Sequence, residues 1–366
     1  MRDMRMQKHN PGHGFTLLEL MVSMGVGLIV MAAMASLFKT GMTSTLLVSQ
    51  KAETQQNMRA GIDLMVKDIS MAGAGLPTGG IQLPIGAGNN GLSRIGCDQA
   101  GACHIPNPNY PPSNYMYGII PGYRNGVEAN AVIAAAPAPA IDDSITVIYA
   151  DYNFPLWEYN VTFAAAGSGV NVNVAPNPAF NPPPPAINSA GGIQVGDLIM
   201  LSGGSVTGVG EVTNLTTTSM TFGNLDTLNI NQDGAASGNL KAIALVVGTA
   251  TPVKAYRLFA VTYYLNVPAA GQTVRLMRQV NGLKPVPVAD DIINLQFAFD
   301  TYNSQTFALD ANQPNPLGVG ESPNLIQKIN LVMMGQSIIN DGNKSQNLYL
   351  ATSVSARNMA FRNRYQ

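Results

Sequence analysis

The sequence predicts an α+β protein: one long N-terminal helix, with an apolar membrane-spanning half and a half packed on a globular domain, followed by a β-rich remainder. Three observations carry this reading. Phe15–Phe38 is an apolar run of 24 residues in which Glu19 alone is charged. No proline occurs between Pro11 and Pro77, in a chain that has 24 of them. Beyond that window, short runs alternate apolar and polar residues, as half-buried strands do.

The elements follow in order. Met1–Gly14 carries Arg2, Arg5 and Lys8 against Asp3. This positive flank stays in the cytoplasm, so the chain beyond the apolar run is exported. At 1.5 Å per residue the apolar run is about 36 Å long, enough to cross a bilayer. A carboxylate inside it costs roughly 2.5–3.5 kcal/mol on insertion scales, so Glu19 marks function.

The helix continues. After a polar stretch, Met58, Ile62, Met65, Ile69 and Ala72 recur at spacings of 4, 3, 4 and 3, one helical face. The helix therefore runs from Phe15 to about Met71, where Gly73, Gly75 and Pro77 stop it. Residues 73–139 read as loop, with an Ala/Pro stretch at Ala134–Ala140. Ile145–Tyr149 is a strand. Pro182–Pro185 reads as a polyproline linker. Asp197–Leu201, Gly210–Thr213 and Ser219–Phe222 read as a small antiparallel module. Tyr256–Leu265, Asp290–Asp300, Gln327–Met333 and Tyr349–Val354 complete the strands, with Ile293, Leu295, Phe297 and Phe299 on one face of the second.

Composition narrows the function. Charged residues are 11% of the 366, against about 25% in an average domain. The formal net charge is −1, and no basic stripe offers a nucleic-acid footprint. The chain has three histidines, His9, His13 and His104, two of them ahead of the apolar run. One loop histidine builds neither a Ser-His-Asp triad nor a His-rich metal site. An enzyme is therefore disfavoured, and no cofactor or metal is expected. Cys97 and Cys103 lie in the exported part, where a disulfide persists. A metal pair is the rival reading, without a second ligand pair to complete it.

Three further constellations have bland and sharp readings. Asn229–Gly234 opens like a calcium loop, but Leu240 stands at position twelve, so an Asx-Gly turn is favoured. Asp142–Asp143 and Asp290–Asp291 read as strand-start or turn carboxylates, because neighbours in a strand point to opposite faces. Tyr152, Phe154, Trp157 and Tyr159 form either a core cluster or a sugar- or partner-binding patch.

An ordinary secretory signal places its cleavage site after the apolar segment. Here the small residue stands before it, in His13-Gly14-Phe15-Thr16-Leu17-Leu18-Glu19. This arrangement resembles the type III signal of type IV prepilins and pseudopilins. The resemblance implies a pilin-like fold with the helix packed on an antiparallel β-sheet, cleavage by a prepilin peptidase between Gly14 and Phe15, and N-methylation of Phe15. It also implies that Glu19 pairs with the N-terminal amine of a neighbouring subunit. The domains are then a leader over 1–14, a helix over 15–72 with 15–38 in the membrane, and a periplasmic β-rich domain over 73–366 with Pro/Gly-rich loops and insertions.

The helix end from Arg59 to Gly75, the Asp290–Phe297 strand and the Arg357-Asn358 ending narrow the resemblance. They resemble PilW-type minor pilins and the related J-type pseudopilins of type II secretion. The resemblance implies a single-pass inner-membrane precursor assembled into a pilus, at or near its tip. Its implied partners are the prepilin peptidase, other minor pilins, the major pilin, the inner-membrane assembly platform and a tip adhesin. Many major pilins carry a proline in the apolar half; this chain has Gly25 and Gly27 instead. A pseudopilin and a tip adhesive module are the alternative readings.

Overall fold

The computed structural model describes residues 14–84, 92, 94–105, 108, 110, 113–126, 141–165, 171–231, 238–249, 251–266, 273–316, 318–337 and 346–362. Helix α1 spans Leu17–Ser70 without a break, about 81 Å at the usual rise. Thr16 caps it, its Oγ1 accepting the Glu19 N–H at 3.3 Å. Met71 closes it, donating its N–H to the carbonyls of Asp68 and Ile69.

Among the described residues four antiparallel sheets follow. The smallest pairs β1 (Ile81–Gln82) with β2 (Tyr115–Met116). The largest has seven strands: β3 (Ile119–Gly122), β4 (Ser144–Asp151), β7 (Leu198–Gly203), β8 (Val206–Glu211), β11 (Lys254–Asn266), β12 (Arg275–Val280) and β13 (Val286–Asp290). Its backbone is β13-β12-β11-β4-β3, with β7 also pairing β11 and carrying β8. A small sheet has the order β5-β6-β10-β9, from Tyr159–Phe163, Asn171–Pro176, Ser219–Thr221 and Asn214–Leu215. The last has the order β15-β14-β16-β17, from Ala308–Gln313, Ile292–Asn303, Ile326–Ser337 and Gln346–Ser355.

The long helix and the β-rich remainder are those the sequence predicts. Met58, Met65, Ile69 and Ala72 are fully buried and Ile62 nearly so. Each large side chain there stabilises the helix–sheet contact by about 1.5–3 kcal/mol. They meet Ile145, Val147, Tyr263 and Leu276 of the seven-stranded sheet and Leu295, Phe297, Leu331 and Met333 of the last one. The approach to β16 is close enough that any side chain at position 335 would displace Met58 or Thr54. A Cβ on Gly335 would lie 2.6 Å from Met58 Sδ and 2.9 Å from Thr54 Cγ2.

Three expectations are corrected. Residues 73–139, read as loop, contain β1, β2 and β3. The small module is divided: β7 and β8 join the large sheet through β11, while β10 lies in the small one. The reason is that β7 is buried on both faces, Leu198 and Met200 in one core and Ile199 and Leu201 in another. Pro182–Pro185 is not a linker between bodies. Pro184 is buried, Tyr159 Oη donates to the Pro185 carbonyl at 2.5 Å, and Ile187 enters the core of the small sheet.

Candidate processing and assembly site

Gly14, Phe15 and Thr16 form an exposed lead-in to α1. Among the described residues nothing requires glycine at position 14: a Cβ there would meet no atom within 4 Å. Phe15 is 77% exposed. A constraint on either residue therefore has to come from something that reads the chain from outside.

Glu19 sits in the first turn of α1, where the exposed N–H groups favour a negative charge. Thr16 and Glu19 have capping-box spacing, and the forward bond, Glu19 N–H to Thr16 Oγ1, is formed. Among the described residues the Glu19 carboxylate makes no hydrogen bond or ion pair. The side chains around it, Leu17, Leu18, Leu20, Met21 and Val22, are each more than half exposed. The 18-residue apolar window of α1 is entirely unburied, and this is the one described helix long and apolar enough to cross a membrane. The first half of α1 thus offers an apolar rod with a carboxylate near one end, and the second half is built into the β domain.

The junction depends on a charge that the sequence reading passed over. Asp68, in the second half of α1, is buried at 3% exposure. Arg278 Nε donates to its Oδ2 at 2.9 Å, Tyr263 Oη to the same oxygen at 2.5 Å, and Tyr149 Oη to Oδ1 at 3.0 Å. Burial, followed by the Asp68 charge, pushes both tyrosine hydroxyls well above their ordinary range, keeping them neutral donors. An aspartate one position before the buried Ile69 was the available signal.

Cys97 and Cys103 are joined, with S–S 1.97 Å and Cα–Cα 3.8 Å. Inside the loop, Asp98 Oδ1 accepts the N–H groups of Ala100 and Ala102, each at 3.0 Å. His104 Nε2 lies 2.9 Å from Asp98 Oδ2, so this histidine is engaged within the loop. That hydrogen bond, above all, holds the Asp98 carboxyl below its usual range. Gln279 Nε2 donates to the Cys97 carbonyl at 3.0 Å and ties the loop to β12.

The other constellations are structural where they are described. Asp142 and Asp143 precede β4, so strand alternation does not separate them. Asp142 Oδ1 accepts the Leu295 N–H and Asp143 Oδ2 the Phe297 N–H, both at 3.0 Å. The pair thus joins the two large sheets, a role the sequence reading missed. Asp290 pairs with Arg275 at 2.8 Å, and Asp291 takes a turn conformation with φ +61°. Asn231 is committed to Glu211 and Gly223 through its side chain, while Gln232–Gly234 of the calcium-like opening lie outside the described residues. The aromatic cluster divides: Phe154 and Tyr159 stack at 5.9 Å in the core, and Tyr152 and Trp157 are exposed.

Against known families, the Prokaryotic N-terminal methylation motif matches residues 10–35. The match covers Gly14, Phe15, Glu19 and most of the bare half of α1. This is a pilin-type prepilin signal. The motif supports a type IV pilin-like or pseudopilin chain, and it implies processing by a prepilin peptidase and assembly with other pilins. No curated protein and no solved structure matches the chain. The bare apolar helix is consistent with membrane anchoring.

Proposed function

We propose that this chain is a minor pilin of PilW type, a structural subunit of a type IV pilus assembled at or near the tip. The precursor sits in the inner membrane through the first half of α1, with the β-rich domain in the periplasm. A prepilin peptidase cuts between Gly14 and Phe15 and methylates the new terminus. Cleavage there leaves two residues ahead of α1, so the new amine sits close to the helix end that carries Glu19. In the apolar filament core that carboxylate pairs with the Phe15 amine of a neighbouring subunit, because an unpaired ion there is far costlier than a paired one.

The observation that carries this reading is the combination of the methylation motif with a helix bare along its first half and built into a β domain along its second. Among the described residues nothing demands glycine at position 14, which supports an outside reader of that residue.

The test is the mass and location of the native protein. The expected chain in sheared filaments begins with methylated Phe15, and Gly14→Leu keeps the leader and stays in the membrane. A mature wild-type chain still starting at Met1 in piliated cells overturns the processing claim. Recovery from secretion-system pseudopili instead of type IV pili overturns the pilus assignment in favour of the pseudopilin reading.

A further inference from the structure

The edges of the two large sheets are treated unequally. Natural proteins blunt sheet edges with proline, bulges, charge, shortness or a covering element, because an open edge pairs with foreign strands. β3 is four residues long and contains Pro121. β13 contains Pro287 and a register shift against β12. β15 contains Asp310 and a register shift against β14. β8 is overlain by the short helix Leu240–Val247, against which Gly208 and Gly210 close.

β17 has neither proline, charge, bulge nor shortness; α1 lies on its inner face, as the short helix lies on β8, and its outer edge is left open among the described residues. It is ten residues long, Gln346–Ser355, about 33 Å at the usual rise. It contains no charged residue, proline or glycine. It pairs with β16 at ten consecutive positions, with no register shift. Among the described residues no strand pairs with its outer edge.

The direction of its backbone groups follows from one bond. The Ala356 N–H donates to the Gln327 carbonyl at 2.9 Å. Antiparallel alternation then turns the even-numbered residues of β17 toward β16 and leaves Asn347, Tyr349, Ala351, Ser353 and Ser355 with N–H and C=O pointing outward. Burial has the same period: these five side chains are exposed, while Leu348 and Leu350 pack against the core. Tyr349, 67% exposed, is the one large side chain among the five.

We infer that the outer edge of β17 is an assembly surface, which takes an extended segment of a neighbouring filament subunit as an added strand. Backbone hydrogen bonds supply the attraction, and Tyr349 supplies a cross-strand anchor. A second copy adding antiparallel about a two-fold axis is not the occupant. β17 runs in the same direction as α1: Gly335, opposite Leu348, lies against Thr54 and Met58, and Asn358 Nδ2 reaches the Ser70 carbonyl at 3.5 Å. That two-fold would turn one α1 end for end, which two chains anchored in one membrane cannot do.

The inference rests on the filament reading, and the experiment separates the two. Amide hydrogen exchange over residues 347–355 is compared between the full chain in detergent and the chain in sheared filaments. The amides of Tyr349, Ala351 and Ser353 should slow by about tenfold or more on assembly. Ser353→Pro removes only an outward N–H, a change edge strands tolerate, and should leave the thermal midpoint in detergent unchanged while lowering the amount in filaments. Should that variant misfold, Ser353→Lys makes the same test by charge. A photo-crosslinker replacing Tyr349 should join the chain to a different filament subunit. Unchanged exchange in the filament, or a crosslink only to a second copy, overturns the strand-addition inference and leaves the filament reading standing. Absence of the chain from filaments overturns both.

Discussion

Asp68 of α1 and Arg278 of β12 form the one ionic tie between the long helix and the sheets among the described residues, Nε to Oδ2 at 2.9 Å. Two neutral tyrosine hydroxyls complete the carboxylate's bonding. Removing the carboxylate leaves a mostly buried guanidinium and two donors without an acceptor. Breaking such a pair costs about 3 kcal/mol, the lower end for buried pairs, because the Arg278 side chain keeps 22% exposure. Asp68→Ala should lower the unfolding free energy of the detergent-solubilised chain by that amount in a denaturant titration, and Asp68→Asn by less.

Glu19→Ala removes no bond that its side chain makes among the described residues. It also makes α1 more apolar, so membrane insertion should not suffer. If the carboxylate serves a neighbour's amine, the variant should be cleaved normally yet be depleted from sheared filaments. Quantitative immunoblotting of the membrane and filament fractions reads both quantities. Wild-type amounts in the filament would contradict the pairing.

The bond between Cys97 and Cys103 closes a short loop, so its chain-entropy contribution is modest, about 2–3 kcal/mol. In the exported protein both thiols should resist alkylation until a reductant is added. Replacing both by alanine should loosen the loop around Asp98 and His104, with the α1–sheet core still folded. Amide exchange confined to residues 94–105 would display this; collapse of the entire domain would refute it.

Burial pushes the Asp143 carboxyl up to about 6, despite the N–H groups of Arg124 and Phe297 that favour its charged form. The folded chain therefore binds this proton more tightly than the unfolded chain does. The sign follows: this group's contribution to stability is largest below about pH 4 and declines as pH rises to about 6, by roughly 2–3 kcal/mol. Stability measured for the wild type relative to Asp143→Asn should fall across that window. A constant difference between pH 4 and 7 would rule the shift out.

What the sequence shows plainly is whatever repeats locally. The limits of α1 follow from a proline-free window and a 4, 3, 4, 3 apolar face. The buried face of β14 follows from Ile293, Leu295, Phe297 and Phe299. What stays hidden depends on partners far along the chain. Asp68 meets a residue 210 positions away, and Asp142 and Asp143 reach β14 across about 150. β7 lacks alternation because both its faces are covered. The methylation motif is legible because its residues stand together in one short stretch, 10–35, while the Asp68 junction looks like one more polar residue on a helix.

The unbroken α1 has a mechanical consequence. It contains no proline, and its ladder runs from Leu17 to Ser70 without a hinge. Tension applied to the apolar half is delivered along the helix axis to the buried face at Met58–Ile69 and to Asp68. β17 runs in the same direction as α1, from Leu348 opposite Gly335 beside Met58 to Asn358 beside Ser70, so the load is shared among contacts spread along the helix. The helix is thus a drawbar: an axial pull on its apolar end reaches the β domain through the buried face and Asp68.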